Sequence, residues 1–399
     1  MSLEALVGRG ALVVCVGPGG VGKTTVSAAL GLAAARAGRK ALVLTIDPAR
    51  RLADALGLDG LDDTIARVPL EQLEQLEPLD PLGGGTGSGS LWAAMVDTGK
   101  SYDALIARIA PDEETRARVL ANRVYQAVSR SLSRSHAYVA MERLYDAMEH
   151  GGYDLVVLDT PPARNALEIL DAPGHLARFL DGRIVGWFLP SASKPAGLGA
   201  RLLAKGGQVA TQLLGRITGQ TLLDEIVGFL TVFASLRDGF IARAERVGEI
   251  LRAPDTAFVL VSAASPSSAD DAAWLRDDLL RRRVPVHAVV FNQSFTPVEP
   301  EAPHVLRMTL PPADVRAQVE ALGPALEPTE ALHAVAERMR ALRQEAAAEN
   351  RRCQRIVDGL TAELPDECHR VRVPRLDEEV RDLPGLARLA DLLLAGAQG

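Results

Sequence analysis

Five short runs of the chain hold almost no polar residue: Ala11 to Val16, Ala41 to Ile46, Asp154 to Leu158, Ala257 to Val261 and Val286 to Phe291. A strand with one wet face alternates apolar and polar positions, so runs without alternation predict strands buried on both faces of a parallel sheet. Between the first two runs, Thr24 to Ala37 is rich in alanine and leucine and is followed by Gly38, the pattern of a helix stopped by glycine. Strand, helix and strand in this order predict a βαβ unit at the N-terminal end.

The pattern then changes twice. From Leu91 to His150 apolar positions recur at helical spacing, as with Leu105 and Ile109 and later Met141, Leu144, Tyr145 and Met148. Ala166 to Leu251 is a second and more apolar helical stretch, containing HLARFLDGRIVGWFLP and LLDEIVGFLTVFASL. Its helices either bury one another against the sheet or leave apolar surface for a partner. The segment GGGTGSGS over Gly83 to Ser90 has no side chains to pack and predicts a mobile surface loop. Pro328 to Leu360 reads as a long charged amphipathic segment.

Together these patterns predict an α/β fold, a mainly parallel sheet flanked by helices, with helical insertions forming a subdomain. Residues 1–90 would form the N-terminal part of the core and 91–150 a helical insertion. Residues 151–170 would return to the core, 171–252 would form the helical subdomain, and 253–399 would complete the core.

Apolar residues make up 47% and charged residues 24% of the 399, the balance of a folded globular chain. The formal net charge is −7 with both signs interspersed, so the basic field that a nucleic-acid partner needs is missing. Clusters such as Arg281 to Arg283 read as solvated helix ends. The opening MSLEALVGRG has no charged segment leading into a long apolar one, so no signal peptide is expected and the location is expected to be cytoplasmic. The best membrane candidate, Ile226 to Leu236, spans 11 residues. A spanning helix needs about 20, so no transmembrane segment is expected. Cys15, Cys353 and Cys368 contain no C-x-x-C pair, and Cys15 in ALVVCV reads as a small buried hydrophobe.

Chemistry enters at Gly17-Pro18-Gly19-Gly20-Val21-Gly22-Lys23-Thr24, which matches G-x-x-x-x-G-K-[ST] between a predicted strand and a predicted helix. Glycines let successive backbone N–H groups turn inward around a phosphate, and the helix N-terminus adds its positive end. Lys23 would reach the β- and γ-phosphates and Thr24 would ligate Mg2+. The nucleotide-binding set is therefore Gly17, Gly19, Gly20, Val21, Gly22, Lys23, Thr24 and the adjoining Thr25.

Phosphoryl transfer also needs a carboxylate near the metal and a group that orients the attacking water. Asp159 ends the apolar run DLVVLD and precedes Thr160-Pro161-Pro162, the place for a metal-side carboxylate. Asp47 ends the second predicted strand, so it emerges on the same sheet edge. There it would orient the water or merely start the turn before Pro48, and spacing alone leaves both readings open. Asn292, taken alone, is a strand-end amide.

Three segments, GPGGVGKTT, TIDPARRLADAL and YDLVVLDTPPARNALEIL, resemble the ArsA-type ATPases, P-loop NTPases of the deviant Walker A class. That family includes arsenical-pump-driving ATPases and the ATPase that escorts tail-anchored membrane proteins. The likeness extends to Phe291 to Gln293 and to VPRLDEEVRDLPGL. It implies ATP and Mg2+ as cofactors, Asp47 and Lys23 as catalytic, Asp159 and Thr24 at the metal, and Asn292 at the adenine. It also implies a homodimer and a partner that is a hydrophobic protein client or membrane-protein segment.

The sequence departs from the family at Pro18, where relatives commonly carry a lysine that reaches across a dimer interface, and proline supplies neither charge nor N–H. Arg50, Arg51 or Arg164 either replace that cation or are surface residues, and the sequence leaves both readings open. The cysteine cluster of the arsenical branch and the C-x-x-C pair of the tail-anchor escorts are both absent from the sequence. Three further readings remain: a nucleotide-gated binding module or sensor with little turnover, a partitioning or positioning ATPase, and a kinase acting on a small molecule.

Overall fold

The computed structural model describes residues 2–46, 51–70, 89–96, 106, 110–126, 136–162, 167–171, 239–294 and 328–395, apart from isolated positions within these ranges. Its strands are β1 (Leu12–Val16), β2 (Lys40–Thr45), β3 (Ala66–Arg67), β4 (Ser90–Met95), β5 (Leu155–Asp159), β6 (Thr256–Ala263), β7 (Val286–Ser294) and β8 (His369–Pro374). They form one sheet in the order β3-β4-β2-β5-β1-β6-β7-β8. Only β3 pairs antiparallel, against β4; the other pairings run parallel. The helices are α1 (Leu3–Arg9), α2 (Lys23–Arg36), α3 (Arg51–Ala55), α4 (Glu113–Ala121), α5 (His136–His150), α6 (Pro266–Arg281), α7 (Pro328–Thr361) and α8 (Leu383–Ala395).

The absence of alternation in the strands has a direct cause. Along β1, Leu12, Val14 and Val16 enter one core with α5 and α6, whereas Val13 and Cys15 enter a second core with α1, α2 and α8. Successive side chains of a strand point to opposite faces, and here both faces are dry. β1 lies between β5 and β6: the connection that leaves β1 runs to β2 on the far side of β5, and the one that leaves β5 crosses to β6 on the other side of β1. A crevice opens at the carboxyl ends of strands wherever the order reverses in this way.

Four expected strands keep their places within two residues at either end, and the fifth, β7, runs three residues past Phe291 to Ser294. The segment from Leu91 needs correction. Leu91 to Met95 is not the start of a helical insertion but the body of β4, paired with β2 from Lys40↔Ser90 to Thr45↔Met95. Its alanines carry little strand preference, and the partner strand supplies what the local sequence does not. β8 is an additional strand, with Val371 and Val373 buried and Arg370 and Arg372 more exposed. Residues 83–88 of the glycine-rich stretch and residues 172–238 of the second helical stretch lie outside the described residues. Among the described residues no helix is long and apolar enough to cross a membrane.

Two side-chain networks join elements distant in sequence. Arg243, in the helix over 241–250, lies 3.0 Å from Glu142 and 3.5 Å from Asp146 of α5, with its guanidinium 4.5 Å from the Tyr145 ring centre. Arg246 adds a 2.8 Å contact to Glu149. The buried guanidinium of Arg276 in α6 donates to the carbonyls of Gly359 and Leu360 at 3.2 and 2.8 Å, which fixes the C-terminal end of α7.

The amino edge of the sheet carries two histidines held neutral. His287 Nδ1 accepts the Phe258 N–H at 3.2 Å. Burial pushes the pKa values of His287 and His369 below the usual histidine value. A lowered folded pKa means that the unfolded chain binds protons more readily, so stability is complete above about pH 6.5 and is lost as the pH falls through the depressed folded values. The urea midpoint is therefore expected to be lower at pH 5.5 than at pH 7.5, and the double variant His287→Asn, His369→Asn is expected to show a flatter profile.

Candidate functional site

The turn between β1 and α2 is shaped by what lies against its backbone. A Cβ on Gly17 would lie 2.0 Å from the Val261 carbonyl oxygen of β6. Gly22 has φ +85°, and a Cβ there would lie 2.3 Å from Asn292 Nδ2. Both positions need glycine, the first for close approach and the second also for its left-handed backbone. Gly22→Ala is expected to lower stability by about 1–2 kcal/mol from the backbone alone, read as a lower denaturation midpoint, and to displace Asn292 from the turn.

At the end of the turn Lys23 is 7% exposed, and its Nζ donates to the Pro18 carbonyl at 2.7 Å. The ammonium is thus held over the loop that would surround a phosphate. Thr24 follows, and its hydroxyl donates to Asp159 Oδ2 at 2.7 Å. The Thr45 hydroxyl, at the end of β2, donates to the same oxygen at 2.8 Å. The register makes this possible, because Asp159 stands opposite Cys15 of β1 and Thr45 of β2. Asp159 is fully buried, and two hydroxyl donors offset part of the cost of holding a carboxylate there. Thr160 extends the network with a 2.7 Å bond from its hydroxyl to the Cys15 carbonyl.

The donor set has the chemistry of a Mg2+ site. Thr24 and Asp159 present hard oxygen atoms within hydrogen-bond distance of each other, and Mg2+ commonly completes its shell with substrate phosphate and water. Among the described residues no group of three or more His, Cys, Asp or Glu side chains is arranged to hold a metal. Cys15, one residue before Val16, takes no part in such chemistry: burial pushes its thiol pKa up to about 12, which leaves it protonated at neutral pH.

On the opposite side of the loop, Asn292 at the end of β7 donates from Nδ2 to the Val21 carbonyl at 2.9 Å. A strand-end amide therefore clamps the turn. The next residue, Gln293, holds φ 54° without being glycine. It lines a cavity of roughly 480 Å³ shared by residues 18–21 of the loop, the ends of β6 and β7, the first turns of α6 and the face of α7 carrying Glu349.

The predicted set thus assembles in part. Gly17, Gly19, Gly20, Val21, Gly22, Lys23 and Thr24 form the turn and helix start; Asp159 and Asn292 flank it, and Thr25 is half-buried in the first turn of α2. Asp47, Arg50 and Arg164 lie outside the described residues. Sequence reasoning missed Thr45, whose signal was a hydroxyl closing a buried strand two residues before Asp47. It also missed Glu349 and Asp271, which reach the cavity from distant helices.

The profile of the anion-transporting ATPase family matches residues 11–307. The chain is 25% identical over 302 residues to the protein named ATPase get3 of Aspergillus terreus, covering 74% of this chain and 77% of the relative. It is 21% identical over 379 residues to ATPase get3 of Schizosaccharomyces japonicus, covering 95% and 90%. A Halobacterium salinarum protein named as a candidate arsenical pump-driving ATPase is 28% identical over 173 residues, which is 41% of this chain and 24% of that protein.

Proposed function

Because the chain belongs to the anion-transporting ATPase family, we propose that it hydrolyses Mg-ATP and uses the reaction to rearrange its helical insertions around a hydrophobic client, such as a membrane-protein segment. The observation that carries this reading is the convergence on Asp159. A hydroxyl from the P-loop helix and a hydroxyl from the neighbouring strand end both donate to one buried carboxylate oxygen.

Lys23 would exchange the Pro18 carbonyl for the β- and γ-phosphate oxygens, keeping its charge where negative charge moves during transfer. Thr24 and Asp159 would hold Mg2+, which when bound neutralises charge on the phosphate oxygens. Asp47 would orient the attacking water at the same sheet edge. Asn292 spends its Nδ2 on the Val21 carbonyl, which leaves Oδ1 as an acceptor for the amino group of adenine. The loop glycines would let the backbone N–H groups of residues 19–22 turn toward phosphate oxygens.

The partition into a core (1–90, 151–170 and 253–399) and helical insertions (91–150 and 171–252) belongs to this proposal, with 91–95 moved to the core as β4. So do the homodimer and the cytoplasmic location. Pro18 brings no cation of its own to a dimer interface, and Arg51, exposed at the start of α3, is a described candidate for that role.

The test is phosphate release by the purified protein with and without Mg2+, alongside its mass in solution with a non-hydrolysable ATP analogue. Mg2+-dependent release with a doubled mass supports the dimeric switch. Tight nucleotide binding without release points to the gated binding module, and absence of nucleotide binding overturns both.

A further inference from the structure

The cavity beside the P-loop holds two carboxylates, Glu349 of α7 and Asp271 of α6, in a place that would otherwise adjoin a polyphosphate. Building on the ATP reading above, we propose that Glu349 reads the 2′-hydroxyl of the nucleotide ribose, so that the long helix α7 senses the sugar of the bound nucleotide.

Carboxylates repel phosphate, so the triphosphate belongs on the Lys23 side of the loop and the cavity is left for the uncharged part of the ligand. The cavity shares residues 18–21 with the loop, which makes it contiguous with that site. An ionised carboxylate only accepts hydrogen bonds. Its partners on a nucleoside are the ribose hydroxyls and the amino group of the base. The amino group already has an acceptor at Asn292 in the proposed binding mode, which leaves the hydroxyls for Glu349. Arg375 and Gln293, in the same wall, supply donors for the remaining acceptors of sugar and base.

Glu349 is better placed than Asp271 because it is half-buried where Asp271 is exposed, so a nucleotide in the cavity would cover the rest of its surface, and an acceptor desolvated in this way discriminates more strongly. Its ion pair with Arg352 is 3.7 Å long between side chains that are 45% and 52% exposed. Such a screened pair competes little for the carboxylate. The helix that carries Glu349 is also anchored at two points C-terminal to that residue. One turn further along, Cys353 Sγ lies 3.8 Å from the Ala264 carbonyl at the end of β6. The α7 end beyond it is held by the Arg276 guanidinium through Gly359 and Leu360. A residue that selects among ligands needs such rigid support.

Calorimetry with ADP and 2′-deoxy-ADP tests the inference without turnover. Wild type is expected to bind ADP roughly tenfold or more tightly than 2′-deoxy-ADP, as loss of a hydrogen bond to a charged acceptor implies. Glu349→Ala is expected to bring ADP down to the affinity of 2′-deoxy-ADP while leaving the latter unchanged. Glu349→Gln, which keeps an acceptor oxygen, is expected to retain part of the preference. Equal affinities in wild type, or equal weakening of both nucleotides by Glu349→Ala at an unchanged thermal midpoint, would overturn the role. Failure of wild type to bind either nucleotide would instead overturn the ATP reading from which the inference starts.

Discussion

Lys23→Ala is expected to weaken binding of a non-hydrolysable Mg-ATP analogue roughly 10- to 150-fold while leaving a folded protein. The side chain is 7% exposed and sits 2.7 Å from the Pro18 carbonyl, so its ammonium is already desolvated and aimed at the loop. Hydrogen bonds to charged groups contribute about 1.5–3 kcal/mol, which converts to that range of Kd. Alanine removes the charge and the ammonium donors but keeps the helix start, because alanine is the best helix former. Isothermal titration decides the matter. A Kd unchanged from wild type would show that the phosphates lie elsewhere.

Asp47→Asn is expected to give the opposite division, with analogue binding close to wild type and turnover lower by roughly 100- to 10,000-fold, the usual contribution of a positioned acid or base. The amide keeps the size of the carboxylate and loses its charge and its capacity to take a proton. The strand end that leads to Asp47 is tied to Asp159: Thr45 donates to its carboxylate, and the Ile46 N–H donates to its carbonyl at 3.1 Å. Single-turnover phosphate release compared with Kd separates the two effects. Turnover equal to wild type would remove Asp47 from the mechanism and leave it as a turn residue before Pro48.

Much of the core was legible because its signals are local. The run LVVCV is buried at each of its five positions, and burial on both faces writes itself into composition. The P-loop was legible because loop glycines, a lysine and a threonine must adjoin one another in sequence to surround a phosphate. What stayed hidden depends on distant partners. β4 owes its strand conformation to pairing with β2, and its alanines say little alone. Thr45 gains meaning only when the register brings it against Asp159, 114 residues away in sequence. Asn292 reads as a strand-end amide until β7 carries it to the Val21 carbonyl, a separation of 271 residues. β8 did carry a local sign, the alternation in RVRVP, whose two buried valines mark a strand wet on one side.

The arginine ladder between α5 and the helix over 241–250 has a consequence for descent and for engineering. One member precedes β5 and the other precedes β6, the two strands that flank β1. Arg243 reaches Glu142 and Asp146, and Arg246 reaches Glu149, across about a hundred residues of chain. Removing one partner of a buried ion pair costs about 3–5 kcal/mol, and the Arg243–Glu142 pair is the buried one here, so a graft that carried either helix alone into a relative would start from that deficit; the exposed Arg246 pair adds little. The two segments form a single cassette written in two pieces, to be inherited, swapped or redesigned together.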